Sequence, residues 1–242
     1  MKQNMIDKIN EVLGNDAPSM SFMSEFQIKQ LYLRLTHGKE LVRLFHGGEK
    51  IVKPDELYFP GPRGNFDFGK GFYLAENKHI AEEWVKDKQT PIINEYELVY
   101  DKTDSVFLEK EDWLKVIVGH RRNQYSVNFT KNLVIGDIAD DRLFESLVSF
   151  VSPRSNVGDL RILKMLTYCN LGLQYVLKNN AEGLTFVNSY ELRGFQLQQA
   201  RDRHSKRKYQ MAEKLLEIER SSMPGEKFVD WYIKECANGV SF

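Results

Sequence analysis

Leu41-Val42-Arg43-Leu44-Phe45-His46-Gly47-Gly48 and, some two dozen positions on, Phe68-Gly69-Lys70-Gly71-Phe72-Tyr73-Leu74-Ala75 are the two stretches that decide the fold. Each reads as a short apolar strand punctuated by glycine. His-Gly-Gly at the end of the first sets an imidazole where glycines let main-chain N–H and C=O groups approach a ligand without an intervening Cβ. A planar carboxamide needs that pairing of donor and acceptor. In the second stretch Gly69 and Gly71 bracket Lys70, and the aromatic strand that follows offers a ring to stack on a flat heterocycle. Together the two stretches predict a pocket for nicotinamide.

Outward from this pair, residues 1–38 read as two helices broken at Gly14-Asn15-Asp16-Ala17-Pro18, with Ser21 or Ser24 as the cap of the second. Strands are predicted over 42–46, 71–75, 91–100, 106–108, 133–135, 173–178 and 185–192. Helices are predicted between them, over 78–86, 111–120, 142–151 and 159–169. That mixture, with Pro54, Pro60-Gly61-Pro62 and Gly64 in one long loop, implies an α+β domain whose sheet is split around a cleft. From residue 194 the pattern is helical, over 195–220 and again over 226–237 behind Met223-Pro224-Gly225. The chain therefore divides into an N-terminal helical segment (1–38), a central domain (39–193) and a C-terminal helical extension (194–242).

Composition excludes several classes. Lys plus Arg (34) equals Asp plus Glu (34), so no global field draws the chain to nucleic acid or to an anionic membrane. The one local basic run, Arg201, Arg203, Lys206, Arg207 and Lys208, reads either as a solvated helix face or as a phosphate-contacting one. No apolar run approaches the roughly 20 residues of a membrane span. Cys169 and Cys236 stand far apart and His and Cys never cluster at ligand spacing, so neither a disulfide nor a metal site is expected, and the compartment is expected to be the cytoplasm. No GxGxxG turn leads from a strand into a helix, which argues against hydride chemistry on a dinucleotide-binding fold.

The two opening stretches resemble the ADP-ribosyltransferase superfamily, in the branch of diphtheria toxin and the poly(ADP-ribose) polymerases. Its signature is a His-Gly strand, a Gly-Lys-Gly-aromatic-Tyr segment and a later acidic strand. The closer likeness is to a poorly characterised bacterial family of that superfamily. It rests on Leu44-Phe45-His46-Gly47-Gly48, Asp67-Phe68-Gly69-Lys70-Gly71-Phe72-Tyr73, Asn94-Glu95-Tyr96-Glu97-Leu98, Asp112-Trp113-Leu114, Ile135-Gly136-Asp137-Ile138-Ala139-Asp140-Asp141-Arg142 and Leu173-Gln174-Tyr175-Val176. These run in order over about residues 40–192.

The resemblance implies an ADP-ribosyltransferase-like split-sheet core with NAD as the ADP-ribose donor. His46 would bind the adenosine-side ribose, the Gly47 main chain the nicotinamide amide, and the Tyr73 ring, with no need of its hydroxyl, would stack on the nicotinamide. Trp84 stands where the polymerases carry a second ring. Asp67, Lys70, Gly71 and Phe72 would shape the donor loop. The departure is at Gln174, which occupies the position of the superfamily's glutamate. An amide can orient a ribose hydroxyl but brings no charge to an oxocarbenium-like centre.

Three accounts follow from that departure. The acceptor is a strong nucleophile or is activated by another carboxylate, with Asp140, Asp141 and Glu191 as candidates; chain elongation is lost and single transfer retained; or the domain binds NAD without reacting. The expected function is mono-ADP-ribosylation of a protein or nucleic acid with release of nicotinamide. In resembling families such compact enzymes often act as toxins held in check by an antitoxin protein. The rival from another class is a non-catalytic NAD or ADP-ribose binding module, and a third reading makes the terminal helices an interaction platform.

Overall fold

Ser24 decides where the second helix begins. Its Oγ accepts from the Gln27 N–H (3.3 Å) while the Gln27 side chain takes the Ser24 N–H (2.8 Å), a reciprocal cap that satisfies two otherwise orphaned donors. The computed structural model describes residues 2–57, 59, 66–109, 112–113, 116–117, 120, 127–139 and 171–220. Among them are helices α1 (Lys2–Leu13), α2 (Glu25–His37), α3 (Lys78–Trp84) and α4 (Gly194–Arg220). The strands are β1 (Glu40–Gly48), β2 (Phe72–Ala75), β3 (Ile92–Tyr100), β4 (Ser105–Phe107), β5 (Leu133–Asp137), β6 (Leu173–Leu177) and β7 (Leu184–Glu191). The predicted helices over 142–151, 159–169 and 226–237, Cys169, Cys236, Asp140, Asp141 and the Pro60-Gly61-Pro62 loop lie outside the described residues. So does part of the predicted helix over 111–120, of which the described positions are helical.

The strands form one mixed sheet in the order β4-β5-β6-β2-β1-β3-β7, antiparallel throughout except for the parallel pair β4 and β5. The fold is thus α+β, with non-consecutive strands side by side. Its midline is unusual. β1 pairs with β3 along its whole length, from Glu40↔Tyr100 to Gly48↔Ile92, but pairs with β2 at Phe45↔Ala75 alone. Backbone pairing between the halves β4-β5-β6-β2 and β1-β3-β7 therefore stops where His46 begins.

Strand alternation sorts the side chains onto two faces. Leu44, Phe72, Leu74, Tyr96, Tyr175 and Leu177 build the core on one face. On the other, Ala75 and Ile93 pack with Ile80 and Ala81 of α3, with Val85 just past its end and with Ala200 of α4. A third cluster, Met5, Ile9, Met20 and Ile28, joins α1 to α2. That pair is tied to the sheet by Lys29 with Glu97 (2.6 Å), Arg34 with Glu40 (2.6 Å) and a Gln30 bond to the Leu41 carbonyl (2.8 Å).

Within the basic run of α4, Arg201 and Lys206 are exposed, as a solvated face requires, while Arg203 and Arg207 depart from both readings of the sequence. Arg203 pairs with Glu82 of α3, Arg207 pairs with Glu83 (2.7 Å), and His204 lies 3.4 Å from Glu83. Arg201 Nε donates to the Lys86 carbonyl (3.3 Å). Glu82 and Glu83 are only 6% and 5% exposed, so Arg203 and Arg207 neutralise buried carboxylates instead of facing only water or phosphate. Lys206 remains exposed. Burial, with Lys86 and Arg207 nearby, lowers the His204 pKa, so the two arginines are the cations that hold this contact at neutral pH. Replacing Arg203 and Arg207 together with Gln is expected to remove about 3 kcal/mol of stability, since removing one partner strands a buried charge. A urea midpoint that does not move would show the glutamates to be solvated.

Candidate active site

The turn that delivers Asp67 and Tyr73 is built by its own side chains. Gly69 N–H donates to the Phe66 carbonyl (3.1 Å), and Gly69 takes φ +72°, a left-handed value that glycine tolerates without strain. Phe68, wholly buried, is the anchor; the Phe68 carbonyl accepts from Lys178 Nζ at 2.5 Å. Tyr73, four residues past Gly69, reaches back: its hydroxyl donates to the Gly69 carbonyl (2.6 Å) and accepts from Phe68 N–H (3.0 Å).

The hydroxyl of Tyr73 is therefore engaged, where the sequence assigned a role to the ring alone. Tyr73→Phe is expected to lower stability by about 1–2 kcal/mol by orphaning the Phe68 amide. A variant that melts with the wild type would make the phenol a spectator.

Gly71 enters β2 with φ +155°, and a Cβ there would meet the Val176 side chain and, at 2.7 Å, the Leu177 carbonyl. Its bareness serves the contact between β2 and β6. Gly47 is similar. A Cβ at 47 would fall 2.5 Å from the Ala81 carbonyl and 2.8 Å from Val85 Cγ1, so the space that the sequence reading kept for a ligand is filled by α3.

His46 stands at the end of the shared pairing of β1 and β2. Its ring lies on the face opposite Gly47, 4.5 Å from the Phe72 ring, and its Nδ1 is 2.9 Å from the Tyr73 carbonyl. A carbonyl oxygen only accepts, so Nδ1 carries the proton. Burial lowers the pKa of the imidazole, outweighing the bond to Tyr73, and keeps it neutral at pH 7. Nε2 is then an acceptor. The imidazole thus bridges the two half-sheets at the point where their ladder ends.

Gln174 is 2% exposed and lies on the Tyr73 face of the sheet, opposite Ala75 of β2 and Gly136 of β5. Its Nε2 donates to Asp67 Oδ2 (3.0 Å) and to the Asp137 carbonyl (3.0 Å). The same carbonyl accepts from Trp113 Nε1 at 2.5 Å, and Trp113 with Phe68 fills the space above Gly136. Motifs far apart in sequence thus meet around one turn: Asp67 to Tyr73, Trp113, Gly136-Asp137 and Gln174.

Lys178 lies near this cluster with its ammonium 5.1 Å from the Phe129 ring, and desolvation lowers its pKa to about 8. His120 beside Gly69 is pushed down to about 4, by burial and then by the Lys178 charge. Sequence reading missed both as site candidates, since each only closes a predicted element, Lys178 the strand 173–178 and His120 the helix 111–120, and the fold alone brings them to this turn.

Other candidates lie elsewhere. Phe72 is a core residue, edge-on to Tyr96 at 5.8 Å. Lys70 is exposed. Trp84 ends α3 with 36% of its surface exposed. The ring that meets Tyr73 is instead Phe66, with centroids 5.5 Å apart and planes 30° apart. A flat ring seated between two others needs about 7 Å, two contact distances, so a ligand ring on that side of Tyr73 must displace Phe66. Glu191 ends the edge strand β7, three places from β2, and pairs with Arg193 at 2.6 Å. Among the described residues no group of His, Cys, Asp and Glu is arranged to hold a metal, and no helix is long and apolar enough to cross a membrane.

Residues 42–187 match the family described as "Protein of unknown function (DUF3990)". The chain belongs to that family. The DUF3990 match begins within β1 and ends within β7, so it contains His46, the 66–73 turn and Gln174. It leaves α1, α2 and α4 outside. No curated protein and no solved structure matches this DUF3990 chain.

Proposed function

We propose that the chain is a mono-ADP-ribosyltransferase that takes ADP-ribose from NAD, releases nicotinamide and modifies a protein or nucleic acid. The observation that carries this reading is the interrupted pairing of β1 and β2 with a neutral His46 beside it. The register Phe45↔Ala75 sets Gly47 opposite Tyr73, and the Tyr73 carbonyl already points at β1. Main-chain groups of residues so opposed face each other across an antiparallel pair. The Gly47 N–H and C=O would offer the donor and acceptor that a carboxamide requires, and His46 Nε2 would accept from a ribose hydroxyl. Catalysis would consist of positioning more than covalent work.

Gln174 favours a second reading, a module that binds NAD or ADP-ribose without reacting. Both N–H groups of its amide are engaged within the protein, so they do not hold a donor ribose. Incubation with labelled NAD and cell lysate distinguishes the two. Label on protein or nucleic acid supports transfer, and mass spectrometry would name the acceptor. Saturable binding without nicotinamide release supports the module. A toxin role with an antitoxin partner follows only from likeness, and growth arrest on expression, relieved by a co-encoded protein, would support it.

A further inference from the structure

Gln174 and Asp67 are 2% and 7% exposed, and their side chains meet at 3.0 Å. Carboxylate and carbonyl oxygens accept but do not donate, so the amide must turn its NH2 toward Asp67 and the Asp137 carbonyl. A glutamate at 174 would set an acceptor against two acceptors and a negative charge against another. Glutamine is what these surroundings require. The turn that presents Asp67 is fixed to Tyr73 through Phe68 and Gly69 and to Lys178 through the Phe68 carbonyl. Asp67 is thus held at a set distance from the ring proposed to meet the nicotinamide.

We propose that Asp67, oriented by Gln174, is the carboxylate that faces the positive charge of the donor, and that Gln174 is its positioning residue. The proposal rests on the transferase reading. As the bond between ribose C1′ and the nicotinamide nitrogen breaks, nicotinamide leaves with the electron pair as a neutral molecule and C1′ becomes cationic. A lone pair of the acceptor then forms the new bond, and the acceptor's proton passes to water. Asp67 forms no bond and takes no proton. Its contribution is electrostatic and grows as charge develops on the sugar. The negative charge that Gln174 lacks is supplied one hydrogen bond away, from the turn instead of the strand.

The test uses the full chain with NAD, and three variants: Asp67→Asn, Gln174→Glu, and the two combined. Nicotinamide release is followed by chromatography, NAD and NADH affinities by calorimetry, and folding by melting curves. Asp67→Asn should lower kcat on the order of a hundredfold with a smaller loss of NAD affinity, because the charge it faces sits on the ring in the ground state and reaches the sugar only as the bond breaks. Gln174→Glu should melt at a lower temperature as pH rises, because two carboxylates in contact must share a proton. In the combined variant the amide now at position 67 can donate to the carboxylate now at 174 while the Asp137 carbonyl still faces an acceptor, so it should melt below wild type but recover at least about tenfold in kcat over Asp67→Asn, and it decides the matter if Asp67→Asn does not fold. A folded Asp67→Asn with kcat within threefold of wild type, or a folded exchange as inactive as Asp67→Asn, overturns the proposal and leaves the transferase reading standing. If wild type binds NAD without releasing nicotinamide, the transferase reading fails. Asp67 is then judged on affinity: a preference for the cationic ring of NAD over the neutral ring of NADH that Asp67→Asn removes supports it, and no such preference overturns it. A wild-type chain that binds no NAD overturns both.

Discussion

Gly47→Val is expected to destabilise the protein by about 3 kcal/mol and to push α3 away from β1. The Cβ alone would lie 2.5 Å from the Ala81 carbonyl, and a carbonyl within a helix cannot rotate aside as a side chain can. The branched methyls would add to the collision at Val85 Cγ1, already 2.8 Å from that Cβ. Ile80, Ala81 and Val85 share a cluster with Ala75, Ile93 and Ala200, so displacing α3 disturbs β2, β3 and α4 together. Gly47→Ala should cost about 2 kcal/mol by the same contact. Gly48→Ala is the control. Its Cβ would approach His46 Nε2 at 3.3 Å, an atom of a side chain that can yield, and stability should change by less than about 1 kcal/mol. Chemical denaturation of the three variants checks the order, and a Gly47→Ala chain as stable as wild type would mean that α3 does not sit on Gly47.

Periodicity carried much of the fold. Each described strand overlaps a predicted one because alternation and β-branched content are local properties, as at Leu133–Asp137 or Leu173–Leu177. Ends shifted where chain geometry intervened: Gly71, with its positive φ, cannot belong to the regular ladder, and α3 stops at Trp84 because Val85 leaves helical geometry at φ −105°, ψ 0°. What the sequence hid were partners far along the chain. Arg203 and Arg207 look like a solvated run until Glu82 and Glu83, some 120 positions earlier, are seen beneath them. Phe66 precedes the motif it stacks on, and only the turn at Asp67 to Gly69 brings it to Tyr73. Glycine was read as room for a ligand, and at 47 the room belongs to a helix. Gln174 reads as a lost charge until the carboxylate it holds is in view.

His46→Ala is expected to lower kcat/KM for NAD by about five-hundredfold, the largest catalytic effect of any single change outside the Asp67 pair. Two losses add. The ribose hydroxyl proposed to donate to Nε2 would go without its acceptor, about 1 kcal/mol for a neutral bond. The Tyr73 carbonyl would lose the N–H that ties β2 to β1 where the ladder has already ended, and a displacement of even about 1 Å at a reacting centre is worth roughly a hundredfold. The pH profile isolates the first loss. Burial depresses the imidazole pKa, so the neutral ring, with Nε2 able to accept, is present from alkaline pH down through 6.5 and is lost only as pH falls through the lowered value. Wild-type kcat/KM should therefore be flat across neutral pH and fall on the acid side, with that fall absent from the residual activity of His46→Ala. A rate that climbs as the solution is acidified would make the imidazolium the working form and reverse the direction of the hydrogen bond to the donor. Melting curves separate site from scaffold, since a folded His46→Ala chain that binds NAD as tightly as wild type removes the imidazole from the site.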